Sequence, residues 1–274
     1  MMRKVSILFL LLIAGVWMSC TNRRKPDHTP PAEVVQHVKP AYARGFDWKV
    51  LTDSSVQITL FNLDSPGDTL QVIHWKKKTL ERIACLSTTH VSFLSALDCL
   101  PILKGAGFAD RLMDTTAKQL YEKGELLNLT SGIELEPEVV FVIEPELLFV
   151  YPFGGKSYEK FLSEGIGCVQ ISEYLEMHPL GRAEWIRLFG LLVNKEALAD
   201  SLFQQIEQRY VALRDSIANG VDERPVVFAG SMDGDRWAVP SANSYLATLI
   251  HDAGGRYLFT DSSATGNLVL PFET

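Results

Sequence analysis

The sequence predicts an α/β fold in two lobes joined by one long helix, the second lobe incomplete. Three observations lead there. From Arg82 onward, short apolar runs of strand length alternate with helical patterns. A helical pattern of unusual length, from about residue 182 to 218, then interrupts the alternation. After it the alternation restarts for little more than one strand–helix turn, too little to cover both faces of a parallel sheet. The chain of 274 residues is long enough for a sizeable core.

Residues 1–19 read as a signal peptide. Arg3 and Lys4 precede an apolar run, Val5 to Val16, broken only by Ser6, and Ser19 follows. The run is too short to span a bilayer comfortably. Cys20 directly after it looks like the lipidation cysteine of a bacterial lipoprotein; the plainer alternative is an ordinary cleaved signal with Cys20 incidental. Residues 20–44, with Arg23, Arg24, Lys25, Pro26, Pro30 and Pro31, read as a tether. The expected location is therefore exported, periplasmic and membrane-anchored through lipid. Removing residues 1–19 takes away the charges of Arg3 and Lys4 and moves the formal net charge from −7 to −9. An acidic mature chain argues against nucleic acid as a partner.

Residues 45–79 read as a β-hairpin extension at the edge of the main sheet. Val56 to Phe61 and Thr69 to Trp75 alternate about a turn at Ser65-Pro66-Gly67-Asp68. Residues 80–178 form the first lobe. Its strands are Ile83 to Ser87, Leu147 to Tyr151 and Gly167 to Ile171, and Thr88-Thr89-His90 is the loop before a helix from Val91. Val139 to Ile143 also reads more like a strand than a helix. Residues 179–220 carry the long helix. Trp185, Leu188, Phe189, Leu192, Leu198, Leu202, Ile206, Tyr210 and Leu213 recur mostly at three- and four-residue steps. The polar gap Asn194-Lys195-Glu196 gives it a place to bend, and Asn219-Gly220 closes it. It reads as a coiled-coil arm or as a rigid backbone between lobes. Residues 221–274 form the partial second lobe: a strand at Pro225 to Gly230, a loop from Ser231 to Arg236, an extended Trp237-Ala238-Val239, and a helix capped by Asn243-Ser244. The expectation is a fragment, or a sequence that ends prematurely.

Chemistry-bearing patterns are few. Cys85, Cys99 and Cys168 show no Cys-x-x-Cys spacing, and His28, His37, His74, His90, His178 and His251 form no metal-ligand spacing. There is no Gly-x-Ser-x-Gly elbow, His-Glu-x-x-His, Walker loop or Gly-x-Gly-x-x-Gly. The expectation is no enzyme, no cofactor and no protein-held metal.

Several segments, in order around the long helix, carry a family resemblance. They are Arg82 to His90 followed by Leu94 to Leu97; Pro137-Glu138 ahead of Glu144 to Leu148; Trp237 to Pro240 with Ser244-Tyr245-Leu246; Asp252 to Gly255; and Leu270 to Glu273. From about Glu81 to Thr274 the chain resembles the periplasmic binding proteins that serve ABC importers of ferric siderophores, haem and cobalamin. The resemblance implies two Rossmann-like lobes bridged by a single helix. It implies a metal chelate as ligand, a monomer, and an ABC permease dimer in the inner membrane as partner. It also implies that Glu138 and Glu273, one on each lobe, dock into permease arginines; an acid in the first turn of a helix is equally what the helix dipole favours.

The ligand of such a protein lies against loops at the C-terminal ends of parallel strands. That points to Ser87, Thr88, Thr89 and His90; to Tyr151, Phe153, Gly154 and Gly155; and to Asp235, Arg236 and Trp237. Aromatic side chains offer contact area to a planar or apolar-rimmed chelate, and Arg236 suits an anionic one. His90 is equally explained as a helix N-terminal residue, and Trp237 as core. Two other classes stay open: a lipid-anchored protein-interaction module, and an α/β hydrolase-type enzyme.

Overall fold

The computed structural model describes residues 32–152, 158–218, 220, 223–260 and 267–271. The first strands, β1 (Val34–Val38), β2 (Phe46–Leu51), β3 (Val56–Phe61) and β4 (Thr69–Trp75), form an antiparallel sheet in that order. The alternation in β3 buries Val56, Ile58 and Leu60 on one face, where Phe46 joins them. The hairpin is thus not an edge of the main sheet but half of a sheet of its own. Its other half includes β1, drawn from residues expected in the tether.

The parallel sheet is built from β5 (Ile83–Cys85), β6 (Leu103–Ala106), β7 (Leu127–Asn128), then, after a small hairpin of β8 (Thr130–Ser131) and β9 (Glu134–Leu135), from β10 (Leu147–Val150) and β11 (Gly167–Gln170). Its order is β11-β10-β5-β6-β7, every pair parallel. The crossovers include α1 (Thr88–Ala96), α2 (Thr115–Glu122), α3 (Pro137–Ile143) and α4 (Glu159–Ser163). Alternate residues face opposite ways and both faces are covered. Ile83, Cys85 and Phe149 share one cluster with Val91 and Leu94 of α1, and Ala84, Leu148 and Val150 share the other with Val140, Ile143 and Phe161. Each of the Val, Leu, Ile and Phe side chains among them is worth about 1.5–3 kcal/mol of burial. The free edge of β11 is closed by a side chain: Gln71 of β4 donates to the carbonyl of Cys168 (2.8 Å) and accepts from the amide of Gln170 (3.0 Å).

Two segments depart from the sequence reading. Val139 to Ile143 lies in helix α3. Pro137 opens it, Glu138 sits in its first turn, and only Val140 and Ile143, three apart, are buried. Burial on one face overrides strand propensity here. The long helical pattern is two helices, α5 (Pro179–Leu192) and α6 (Glu196–Ala218). Asn194, with φ 58°, takes the left-handed conformation that ends a helix. The Lys195 amide then closes onto the Gly190 carbonyl at 2.7 Å, and the Asn194 side chain donates to the carbonyl of Lys78 at 2.7 Å. From there α6 runs back along α5: Arg187 meets Asp200 at 2.6 Å, and the rings of His178 and Tyr210 lie 6.2 Å apart.

Beyond α6 come β12 (Val226–Val227), β13 (Ser231–Asp233), β14 (Arg236–Pro240), α7 (Tyr245–Asp252), β15 (Arg256–Tyr257) and β16 (Asn267–Pro271). The strands β12 and β15 pair in parallel, and β14 lies between β13 and β16 in an antiparallel sheet. Among the described residues no helix is long and apolar enough to cross a membrane.

The N-terminal sheet is fastened to α5 by two buried glutamates. Glu184 accepts the backbone amides of Ala41 (2.9 Å), Tyr42 (2.7 Å) and Ala43 (2.9 Å), and pairs with Arg187 at 3.2 Å. One oxygen of Glu176 accepts the amides of Arg44 (2.8 Å) and Gly45 (2.9 Å) and the indole N–H of Trp185 (3.1 Å).

Candidate functional site

Strands β5 and β10 are neighbours, yet the chain leaves them toward opposite edges of the sheet. The loops after them therefore part and leave a crevice at their C-terminal ends. Ser87 caps α1 there, its hydroxyl accepting from the Thr89 amide at 3.2 Å. The Ser87 and Thr89 hydroxyls lie 2.7 Å apart, and Thr89 donates to Glu173 at 2.6 Å. Glu173 stands on a single 3₁₀ turn after β11 and is buried. Burial alone would push its carboxyl up, but His90 and Thr89 together more than offset this and hold it below the ordinary value of 4.5.

His90 is fully buried, its Nε2 3.5 Å from Glu173 and its ring among Phe149, Tyr151 and Phe189. Neither ring nitrogen makes a hydrogen bond among the described residues. It lies under the floor of the crevice, where it steadies Glu173, and Glu173 in turn steadies Thr89. Ser87, Thr88 and Thr89 are the groups left at the surface.

Beside them opens an apolar pocket of about 390 Å³, lined by Leu86, Phe108, Thr130, Ile133, Tyr151 and Tyr158 among others. The Tyr151 hydroxyl donates to the Leu86 carbonyl (2.9 Å) and the Tyr158 hydroxyl to the Tyr151 carbonyl (2.9 Å). Burial pushes the Tyr158 phenol up to about 12 and raises that of Tyr151. Both rings are thus neutral, fixed by their hydroxyls, and present aromatic faces. Phe108 is held in the left-handed region (φ 54°), its amide donating to the Thr130 hydroxyl at 2.9 Å.

A second, more polar pocket of about 460 Å³ is lined by Arg44, Tyr174, Arg182, Asn243, Tyr245 and Asn267 among others. Glu173 and Tyr174 are consecutive, so one 3₁₀ turn serves both pockets. Arg182 donates to the carbonyls of Glu176 (3.0 Å) and Tyr174 (2.7 Å) and stacks 3.7 Å over the ring of Tyr245. Burial lowers its pKa, raises the carboxyl of Glu176, and pushes the Tyr174 phenol up to about 12.

The residues expected from the sequence divide accordingly. Ser87, Thr88, Thr89 and Tyr151 meet at the crevice. Asp235 and Arg236 are exposed on the β13–β14 hairpin, and Trp237 packs edge-on to Phe228 at 5.3 Å. None of these three lines either pocket, because they stand at the start of β14 while Pro240 at its end reaches the polar one. Glu138 is exposed in the first turn of α3. Phe153, Gly154, Gly155, Glu273 and Cys20 lie outside the described residues. Sequence reasoning missed Arg44, Tyr174, Arg182 and Tyr245. The rule for parallel strand ends, applied after β11, would have found Tyr174; no such rule marks Arg44, Arg182 or Tyr245.

A family model described as periplasmic binding protein matches residues 83–274. An uncharacterized lipoprotein of Methanocaldococcus jannaschii is 28% identical in an alignment 260 positions long that covers 86% of this chain and 61% of that protein. The chain thus spans less than two thirds of this relative's length. Among solved structures, the siderophore binding protein BauB, bound to a complex between two acinetobactin molecules and ferric iron, is similar with a TM-score of 0.56 and 16% identity. That match covers 77% of this chain and 71% of that one. The periplasmic haem binding protein HutB of Vibrio cholerae is similar with a TM-score of 0.58 and 18% identity, over 70% of each chain. At these identities the likeness is one of fold.

Proposed function

The chain belongs to the periplasmic binding protein family, and from that premise we propose that it is the ligand-capturing subunit of an ABC importer for a metal chelate: a ferric siderophore, haem or a corrinoid. Members of the family are substrate-binding proteins, not enzymes. The observation that carries the reading is the apolar pocket walled by Phe108, Tyr151 and Tyr158 where the order of the parallel strands reverses. Its aromatic faces suit the organic surface of a chelate, and the hydroxyls of Ser87 and Thr89 supply polar contacts at its rim.

The loaded protein, held to the membrane through a lipid on Cys20, presents Glu138 and Glu273 to the permease dimer. Glu138 supports this by its exposure in the first turn of a helix. Replacing Glu138 by Lys is expected to abolish uptake in cells while leaving ligand affinity unchanged; a loss of affinity would refute the docking role.

The reading is tested by thermal melts of the chain alone and with ferric siderophores, haem and cobalamin. A ligand at a hundredfold excess over its Kd adds about 2.7 kcal/mol to the folded state. One selective rise in the midpoint is expected. A sharp melt that no compound moves would overturn the proposal in favour of a protein-interaction role.

A further inference from the structure

Two arginines line the more polar pocket, and among the described residues no carboxylate is hydrogen-bonded to either, although the charge of Glu176 acts on both. The guanidinium of Arg182 is half-buried, and its hydrogen bonds go to backbone carbonyls and its face to Tyr245, which leaves N–H groups unclaimed. Arg44 is exposed at the pocket wall, and only its backbone amide is engaged. Among the described residues neither side chain forms an ion pair. Two carboxyl groups line the same pocket, Glu176 and Asp64. Glu176 is buried and the oxygen it turns toward the chain already accepts three N–H groups. Asp64 is exposed, so water screens it. A guanidinium with free N–H groups in a partly buried pocket favours a planar anion that it can grip with two parallel hydrogen bonds.

We infer that this pocket is a carboxylate subsite, in which Arg44 and Arg182 hold a carboxylate arm of the bound chelate. The inference rests on the reading of the chain as a chelate-capturing protein and narrows the ligand to carboxylate-bearing chelates. It also gives the N-terminal sheet a role in recognition. Arg44 comes from the β1–β2 loop, outside residues 83–274 that match the family, and is placed by Glu176 and Glu184 gripping the backbone around it.

The test pairs ligands that differ only or chiefly in carboxylates. The full chain is titrated with haem and haem dimethyl ester, and with ferric citrate and ferrichrome, a neutral trihydroxamate. Each titration is repeated on Arg44→Ala and Arg44→Lys; Arg44 is chosen over Arg182 because its side chain supports no backbone. Haem or ferric citrate is expected to bind tighter than its carboxylate-free counterpart. That preference should fall about tenfold in Arg44→Ala, the size of one charge-assisted hydrogen bond, and return in part in Arg44→Lys. Equal binding of the two members of a pair, or a preference that Arg44→Ala leaves intact, overturns the subsite while the capturing function stands. Failure of every chelate to bind the unaltered chain overturns both.

Discussion

Replacing Glu184 by Ala should be among the most damaging single changes in this protein. The residue is fully buried and its carboxylate is the acceptor for three consecutive amides and for Arg187. When it is removed, Ala41 is exposed and its amide finds water, but the amides of Tyr42 and Ala43 do not. Each buried donor left alone costs about 1–3 kcal/mol, and Arg187 loses one of its two anions. A loss of about 3–5 kcal/mol is expected, as for other broken buried networks. At about 2–4 °C per kcal/mol for a chain of this size, the melting midpoint should fall by roughly 10 °C. Glu184→Gln separates the terms. Its remaining oxygen can keep Tyr42 and Ala43 and surrender Ala41 and Arg187, which solvent reaches, so it should lose less than half as much. Differential scanning calorimetry gives the midpoints, and hydrogen exchange at residues 41–43 locates the effect. A midpoint for Glu184→Ala within 2–3 °C of the parent, about 1 kcal/mol or less, would refute the account, as would equal losses for Ala and Gln.

The Glu173 carboxyl is held below 4.5, so its charge stabilises the fold above that pH, and the contribution disappears as pH falls through its lowered value. Glu173→Gln should therefore melt earlier than the parent at pH 7 and converge with it in acid; a constant difference across pH would contradict this. Glu176, raised chiefly by burial, has the opposite sign: its contribution is present below 4.5 and fades as pH rises through its raised value, so Glu176→Gln should gain on the parent as pH rises. Gly190→Ala would place a methyl group 2.4 Å from the Cβ of Ala199, between α5 and α6, and should destabilise by about 1–3 kcal/mol in a denaturant melt. Phe108→Ala removes an aromatic wall of the apolar pocket and should weaken chelate binding about tenfold or more in a fluorescence titration, with Ser87 and Thr89 still in place.

What the sequence revealed depended on whether the signal was local. Ile83 to Cys85, Leu147 to Val150 and Gly167 to Gln170 are short apolar runs, and all three became strands because a sheet covered on both faces needs such runs. Ser87 stands at the end of β5 as the strand-end rule expects, but Thr88, Thr89 and His90, read from the sequence as a loop, form the first turn of α1, because the Ser87 hydroxyl caps the helix one turn earlier than Val91. Strands β1 and β2 were invisible because their pairing is fixed from far away, by Glu176 and Glu184 on and before α5. The helix break at Asn194 was half legible: the polar gap was there, but a bend and a full reversal leave the same pattern of apolar steps. Helix α3 was misread because Val140 and Ile143 are buried by a sheet that propensity does not see. Arg44 reached its pocket from an added sheet, and no spacing rule links it to Arg182.

The grip of Glu184 on residues 41–43 spans 141–143 positions of the chain. Their amides therefore find an acceptor only once α5 has formed and come back to them. Strands β1 and β4 are the outer strands of that sheet, and Val34, Val35 and Val72 face outward. Closing so long a loop is slow, and the delay is a window for mispairing. Residues near one end of the parallel sheet's sequence thus hold in place a segment that precedes all of it, and the position of Arg44 depends on contacts closed across more than a hundred residues.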